Sequence, residues 1–176
     1  MITILNPSEF EAGVKAYLEN RFALSELTVP VPKAEASAVD ETPAVIQGLS
    51  TDLPEVSAIT VAIRANHDNP ECEGWYAMKT LITVVTPLLN PEITLAHHNA
   101  VYQEIASSFP KRPSASADQQ DKTDWAQYHA ALDGFLFAES GYNASGWSAA
   151  PSIYSKSRDR VEQPIIVTIG AIHPEA

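Results

Sequence analysis

Ala58–Ala65, AITVAIRA, and Tyr76–Leu88, YAMKTLITVVTPL, are the segments whose reading decides the fold. In the first, Ile59, Val61 and Ile63 alternate with Thr60 and Arg64, the period of a strand with one buried face. The second is apolar on both faces, with Met78, Ile82 and Val84 on one and Leu81 and Val85 on the other. Such a strand belongs in the middle of a sheet. Between them His67–Trp75, with Asn69-Pro70 and Gly74, reads as the tip of a long antiparallel hairpin. Asn90-Pro91 then opens a helix, Asn90 as its cap and Pro91 in the first turn, where a missing amide costs nothing. Leu95, His98, Tyr102, Ile105 and Phe109 form a helical stripe that lays this helix across the sheet.

Upstream, Ser8 and Glu11 have the spacing of a capping box. Phe10, Val14, Tyr17 and Leu18 continue as one apolar helical stripe, ending between Phe22 and Leu27, with Glu9, Lys15, Glu19 and Arg21 on the solvated side. Val29–Pro54 breaks the pattern. Pro30, Pro32, Pro43 and Pro54 fall among small and acidic residues, and prolines withhold the donors that a helix or central strand needs. The segment reads as an extended arm or long loop. Downstream, 110–122 reads as a flexible loop, and Thr123 to about Asp133 as a third helix stopped by Gly134. Phe135–Ala138 reads as a short strand, Gly141–Pro151 as turn-rich, and Val161–Ile172 as the closing strand. Pro164 requires that strand to begin there or to lie at an edge.

The expected architecture is therefore a single α+β domain over 1–176. Its sheet is mixed but mainly antiparallel, built on a long hairpin, with helices on one face and a Pro-rich arm. A length of 176 residues with 45% hydrophobic composition suits one core rather than two. The formal charge of −11 repels phosphate backbones and disfavours an ordinary nucleic-acid-binding module. A lone cysteine, Cys72, excludes an intramolecular disulfide. No basic-then-apolar leader is read at the N-terminus, and no run approaches the roughly 18 apolar residues of a membrane span.

No motif announces a chemistry. His67, Asp68, Glu71, Cys72 and Glu73 could ligate a transition metal and support a metal-assisted hydrolase, but their spacing matches no recurring zinc pattern. His97 and His98 point apart on a helix, and His98 falls on the apolar stripe, where a buried, hydrogen-bonded imidazole is the expected role. His129 and Asp133 have helical i, i+4 spacing. Ser145 lacks the flanking glycines of a nucleophile elbow, and no phosphate-binding glycine loop is present. No catalytic, metal or cofactor site is therefore assigned. Lys156, Arg158 and Arg160 are the one basic concentration in an acidic chain, read either as a surface loop or as a contact for a neighbouring copy.

The element order is capped helix, Pro-rich connection, hairpin, helix after Asn90-Pro91, variable loop and late strands, over roughly Ser8 to Ile172. It resembles the tail-terminator or tail-completion proteins of long-tailed bacteriophages, most closely where Tyr76–Leu88 breaks at Asn90-Pro91 into the helix carrying His97-His98. The resemblance implies a structural virion protein that is not an enzyme. Copies would form a six-fold ring that caps the tail tube, stops its growth and meets the neck. Its partners would be further copies, the tail-tube protein and the neck or head-completion protein. DNA would pass through an acidic lumen without specific binding, and no membrane would be involved. Such a protein assembles in the host cytoplasm and ends in the virion tail. The candidate interface is Pro30, Pro32, Pro43, Lys156, Arg158 and Arg160. A non-phage binding or adaptor domain is the alternative.

Overall fold

The structure is a computed structural model that describes residues 5–34, 36–53, 56–67, 74–138 and 140–175. It is an α+β fold. The main sheet has the order β3-β4-β5-β8-β6, formed by Ala44–Gln47 (β3), Thr60–His67 (β4), Trp75–Pro87 (β5), Arg160–Ile172 (β8) and Asn143–Pro151 (β6). Ser155–Lys156 (β7) adds briefly to β8, and Val29–Lys33 (β1) pairs with Ala36–Glu41 (β2) as a separate antiparallel pair. Every pairing is antiparallel except β3 with β4.

The hairpin β4–β5 forms with Val61 opposite Val84 and Ile63 opposite Ile82, and β5 is central, as the double-sided apolar pattern requires. On its other side β5 pairs with β8 from Trp75↔Ile172 to Pro87↔Arg160. One face of these three strands carries Val61, Ile63, Met78, Ile82, Ile165, Val167 and Ile169, all buried. Fully burying each such side chain contributes about 1.5–3 kcal/mol relative to exposure. This face is covered by the helices Pro7–Leu24 (α1), Leu95–Ser107 (α2) and Gln119–Phe137 (α3).

Pro164 lies inside β8, not at its start, and β8 is not an edge strand. The reason is local. On the side away from β5, β6 pairs with β8 only up to Ile165, and β7 resumes at Glu162. Pro164 falls in that interruption, where a missing N–H breaks no ladder bond.

Three further expectations change. Asn6, not Ser8, caps α1: its side chain accepts from the Ser8 amide at 2.9 Å, with Pro7 in the first turn. Thr94, not Asn90, caps α2; Asn90 instead makes a preceding turn, its side chain accepting from the Glu92 amide at 3.1 Å. The third helix begins at Gln119 and runs through Gly134, so Phe135–Phe137 is helical rather than strand. A Cβ at Gly134 would meet nothing within 4 Å, so the glycine costs only its propensity, about 1 kcal/mol. Leu132, Leu136 and Phe137 outweigh this by burying themselves; Phe137 packs 5.9 Å from the Phe10 ring of α1.

The segment read as an arm or long loop contains β1, β2 and β3. Its prolines set extended backbone, and β1 pairs on one side only, which tolerates Pro30 and Pro32. The turn-rich stretch before Pro151 is β6, which bulges between Ala144 and Gly146. Pro110–Asp118 carries no helix or strand.

Helix α1 joins the other helices through polar pins as well as packing. Tyr17 donates its hydroxyl to the Ser108 carbonyl at the end of α2, and burial pushes its pKa up. Arg21, expected on the solvated side, instead donates to the Tyr128 hydroxyl at 3.0 Å and faces Glu104 at 4.0 Å. Gly13 allows α3 to approach, since a Cβ there would meet the Phe135 carbonyl oxygen at 2.9 Å.

Glu11 has a role other than capping its own helix. It is buried, and its Oε1 accepts from the Ala65 amide of β4 at 2.8 Å. Strand β3 leaves β4 at Gly48, whose amide donates to the Ile63 carbonyl, so Ala65 is the next donor without a strand partner. The carboxylate takes the place of the missing strand. Glu11→Ala should therefore destabilise the fold by about 1–3 kcal/mol, the cost of an orphaned buried amide. Glu11→Gln, which keeps the acceptor, should lose markedly less. Denaturant midpoints check this, and equal losses in the two variants would contradict the acceptor role.

Candidate functional site

Two places in the molecule gather polar chemistry, and the first is the seam between α2 and the sheet. His98 is fully buried; its Nδ1 lies 2.8 Å from Thr86 Oγ1 and its Nε2 lies 2.8 Å from Gln163 Oε1. The Gln163 amide nitrogen donates to the Ser152 carbonyl at 2.9 Å, which turns Oε1 toward the imidazole. An amide oxygen only accepts, so Nε2 carries the proton and Nδ1 accepts from the threonine hydroxyl. Tyr102 extends the seam, its hydroxyl accepting from the Ser152 amide at 3.1 Å. Burial lowers the His98 pKa, partly opposed by the bond to Gln163. With both nitrogens committed and no solvent access, His98 is a structural pin among α2, β5 and β8 and not a general base. His97 points elsewhere and accepts from the Thr94 amide at 3.1 Å.

The second place is the flank of β6. His129 Nε2 donates to the Ala144 carbonyl at 3.0 Å, and Asp133 accepts from the Ala144 amide at 2.7 Å. The i, i+4 pair thus clamps both backbone groups of one residue on an edge strand. Trp125 of α3 and Trp147 of β6 stack at 5.1 Å, with His129 beside both. The Trp147 indole donates to the Pro110 carbonyl at 2.9 Å, fixing the start of the loop after α2 to this wall. Arg112 lies over Trp125, 5.4 Å from the ring centre. Between the 110–118 loop and α3 these groups leave a cleft of about 540 Å³, whose lining includes Lys111, Arg112, Asp121, Asp124, Trp125 and Tyr128. The indole nitrogen of Trp125 is buried without a hydrogen-bond partner. Sequence reasoning missed this cleft. Trp125 and Trp147 belong to different elements, and only the pairing of β6 with β8 brings them together.

The residues expected to form an interface differ in exposure and in their partners within the chain. Pro30 and Pro43 are buried within the chain, one within β1 and the other just before β3. Pro32 is exposed and edges a small apolar pocket of about 310 Å³ with Val56, Pro87, Leu89 and Pro91. Arg160 is consumed within the chain: it donates to the Leu53 carbonyl at 2.8 Å and pairs with Glu162 at 3.6 Å. It holds down the turn Ser50–Asp52. Lys156 and Arg158 remain exposed and make no ion pair among the described residues.

The end of the molecule where β5 and β6 finish and β8 starts is unusual in composition. Leu89 is 80% and Ile153 88% exposed, and Leu95 and Tyr154 are about half exposed, beside Lys156 and Arg158. Of the candidate metal ligands, Asp68, Glu71, Cys72 and Glu73 lie outside the described residues. His67 packs its ring 4.9 Å from Tyr76, and no group of three or more His, Cys, Asp or Glu suited to a metal occurs among the described residues. No helix among them is long and apolar enough to cross a membrane. Neither a protein-family model nor a curated protein sequence matches the chain.

The His98 seam has a pH signature. Because the native state disfavours the imidazolium, the unfolded chain takes up the proton first as pH falls below the ordinary value of 6.5. The contribution of neutral His98 is complete above that value and is lost as pH falls toward the lowered folded pKa, with a slope of at most about 1.4 kcal/mol per pH unit. His98→Gln should be less stable at pH 7.5 yet lose less on moving to pH 5 than the parent. Denaturant unfolding at both pH values checks this, and parallel pH profiles would contradict it.

Proposed function

We propose that this chain is a structural assembly protein that works through contacts between copies, on the pattern of the phage tail terminators it resembles. In this reading a ring of copies caps a tail tube and meets the neck of the head, and DNA passes without specific contact. The observation that carries the reading is the exposed end formed by Leu89, Leu95, Ile153 and Tyr154, with two unpaired cations in a chain of net charge −11. Grouped exposed apolar side chains mark contact surfaces, and isolated cations on an acidic chain favour an acidic partner. The histidines support it too, since His98 and His129 are spent on holding the fold together.

Native mass measurements across protein concentration, with single-particle images of any large species, test this. The expected outcome is a defined closed oligomer with a central opening. A protein that stays monomeric at every concentration would overturn the proposal.

A further inference from the structure

The loop that joins β6 to β7 is tied to the fold at Ser152, and the same bonds lead to His98. The Ser152 amide donates to the Tyr102 hydroxyl at 3.1 Å, and the Ser152 carbonyl accepts from the Gln163 amide nitrogen at 2.9 Å. Gln163 turns its oxygen to His98 Nε2, and Thr86 reaches Nδ1, each at 2.8 Å. Beyond Ser152 the loop gives little to the interior: Ile153 is 88% and Tyr154 50% exposed. Tyr154 nevertheless stands edge-on to the imidazole, with ring centres 6.5 Å apart, and the Tyr102 ring lies parallel to it at the same distance. These tyrosines are the titratable groups that face His98 from the loop and from α2, whereas β5 presents Thr86 and β8 presents Gln163. Arg160 and Glu162 belong to the opposite face of β8 by strand alternation and pair with each other at 3.6 Å. His97 is turned to the Thr94 amide. No ion pair among the described residues involves His98.

We propose that His98 is a pH-sensitive latch for this loop: a proton taken up by the imidazole releases residues 152–154 while the sheet and helices stay folded. A buried imidazolium has no carboxylate here to offset its desolvation, so it is stable only with access to water. The smallest movement that supplies water dominates, since local openings draw on the least buried segments. Opening α2, β5 or β8 would expose Val101, Ile105, Val84 or Ile165, all fully buried. Lifting 152–154 breaks the two ties at Ser152 and uncovers little more than the Tyr154 ring. Protonation also turns Nδ1 from acceptor to donor, so the Thr86 hydroxyl must give up the bond it donates. Because burial lowers the His98 pKa, the latch holds fully above the ordinary value of 6.5 and loosens as pH falls toward the lowered value of the closed form. Ile153 and Tyr154 belong to the exposed apolar end, so acid would also weaken contacts made there. That consequence rests on the assembly reading; the release of the loop does not.

Nuclear magnetic resonance between about pH 8 and about pH 5 reads both ends of the latch. The His98 ring shifts report its proton, and the protection of the Ser152 amide, its exchange rate relative to a free chain, reports the loop. In the parent, Ser152 protection should fall about tenfold or more through the His98 titration, while the amides of β5 and β8 stay protected well beyond it. His98→Gln should remove the pH response of Ser152. Tyr102→Phe cuts the tie to the Ser152 amide and keeps the packed ring. A looser loop restrains the imidazolium less, so by linkage the proton affinity of His98 should rise about threefold or more. Ser152 protection that follows the β5 and β8 amides at every pH, or that persists once His98 is protonated, overturns the latch. So does a His98 titration unmoved by Tyr102→Phe. Association measured over the same pH range is a separate readout: if it ignores a loop that is seen to open, the contact role of this end is wrong while the latch stands.

Discussion

The long pairing of β5 with β8 is the constraint on which the rest depends. Thirteen residues of each strand are in register, from Trp75↔Ile172 to Pro87↔Arg160. A one-residue slip would turn every buried side chain of the face outward. The register places Met78 opposite Ile169 and Ile82 opposite Ile165, which gives the helices one continuous apolar surface. It also puts Thr86 and Gln163 on the same face, where His98 bridges them. The histidine pin is therefore a consequence of strand register.

Where the sheet runs out of strands, side chains replace them. Glu11 completes β4 beyond β3, and His129 with Asp133 covers β6 at Ala144. Arg160 secures the turn that follows β3. These substitutions keep buried backbone groups satisfied, as they must be in a dry interior. They also account for His129 and Asp133, the helical i, i+4 pair of the third helix. Among the described residues, the exposed side chains with no such task include Ile153, Lys156 and Arg158 of the loop that follows β6.

The sequence was most legible where one period ran uninterrupted. Alternation in Ala58–Ala65, the two-sided apolar run of β5 and the stripes of α1 and α2 led directly to those elements. It was least legible where a partner far along the chain overrode local composition. Asn143–Pro151 has the residues of a turn, yet β8 supplies a ladder and makes it a strand. Gly134 reads as a stop, yet burial of Leu136 and Phe137 carries α3 past it. The prolines of Val29–Lys33 and the 42–47 region disguised short strands, because extended backbone is what proline already provides. Among the candidate contact residues, Lys156, Arg158 and Arg160 read alike, as one basic concentration. Arg160 looked the same in sequence and differs only because the 50–53 carbonyls lie within its reach. The cleft left no sequence signal, since its walls come from a loop, a helix and the strand behind it.

The polar side chains of this fold maintain its shape, and we propose that its spare surface makes the contacts between copies. Amide hydrogen exchange at low and high protein concentration tests this most directly. Concentration-dependent protection should appear in residues 152–158, with the amides of β5 and β8 protected equally at both concentrations. Exchange that is unchanged by concentration there, or that changes only elsewhere, would contradict it.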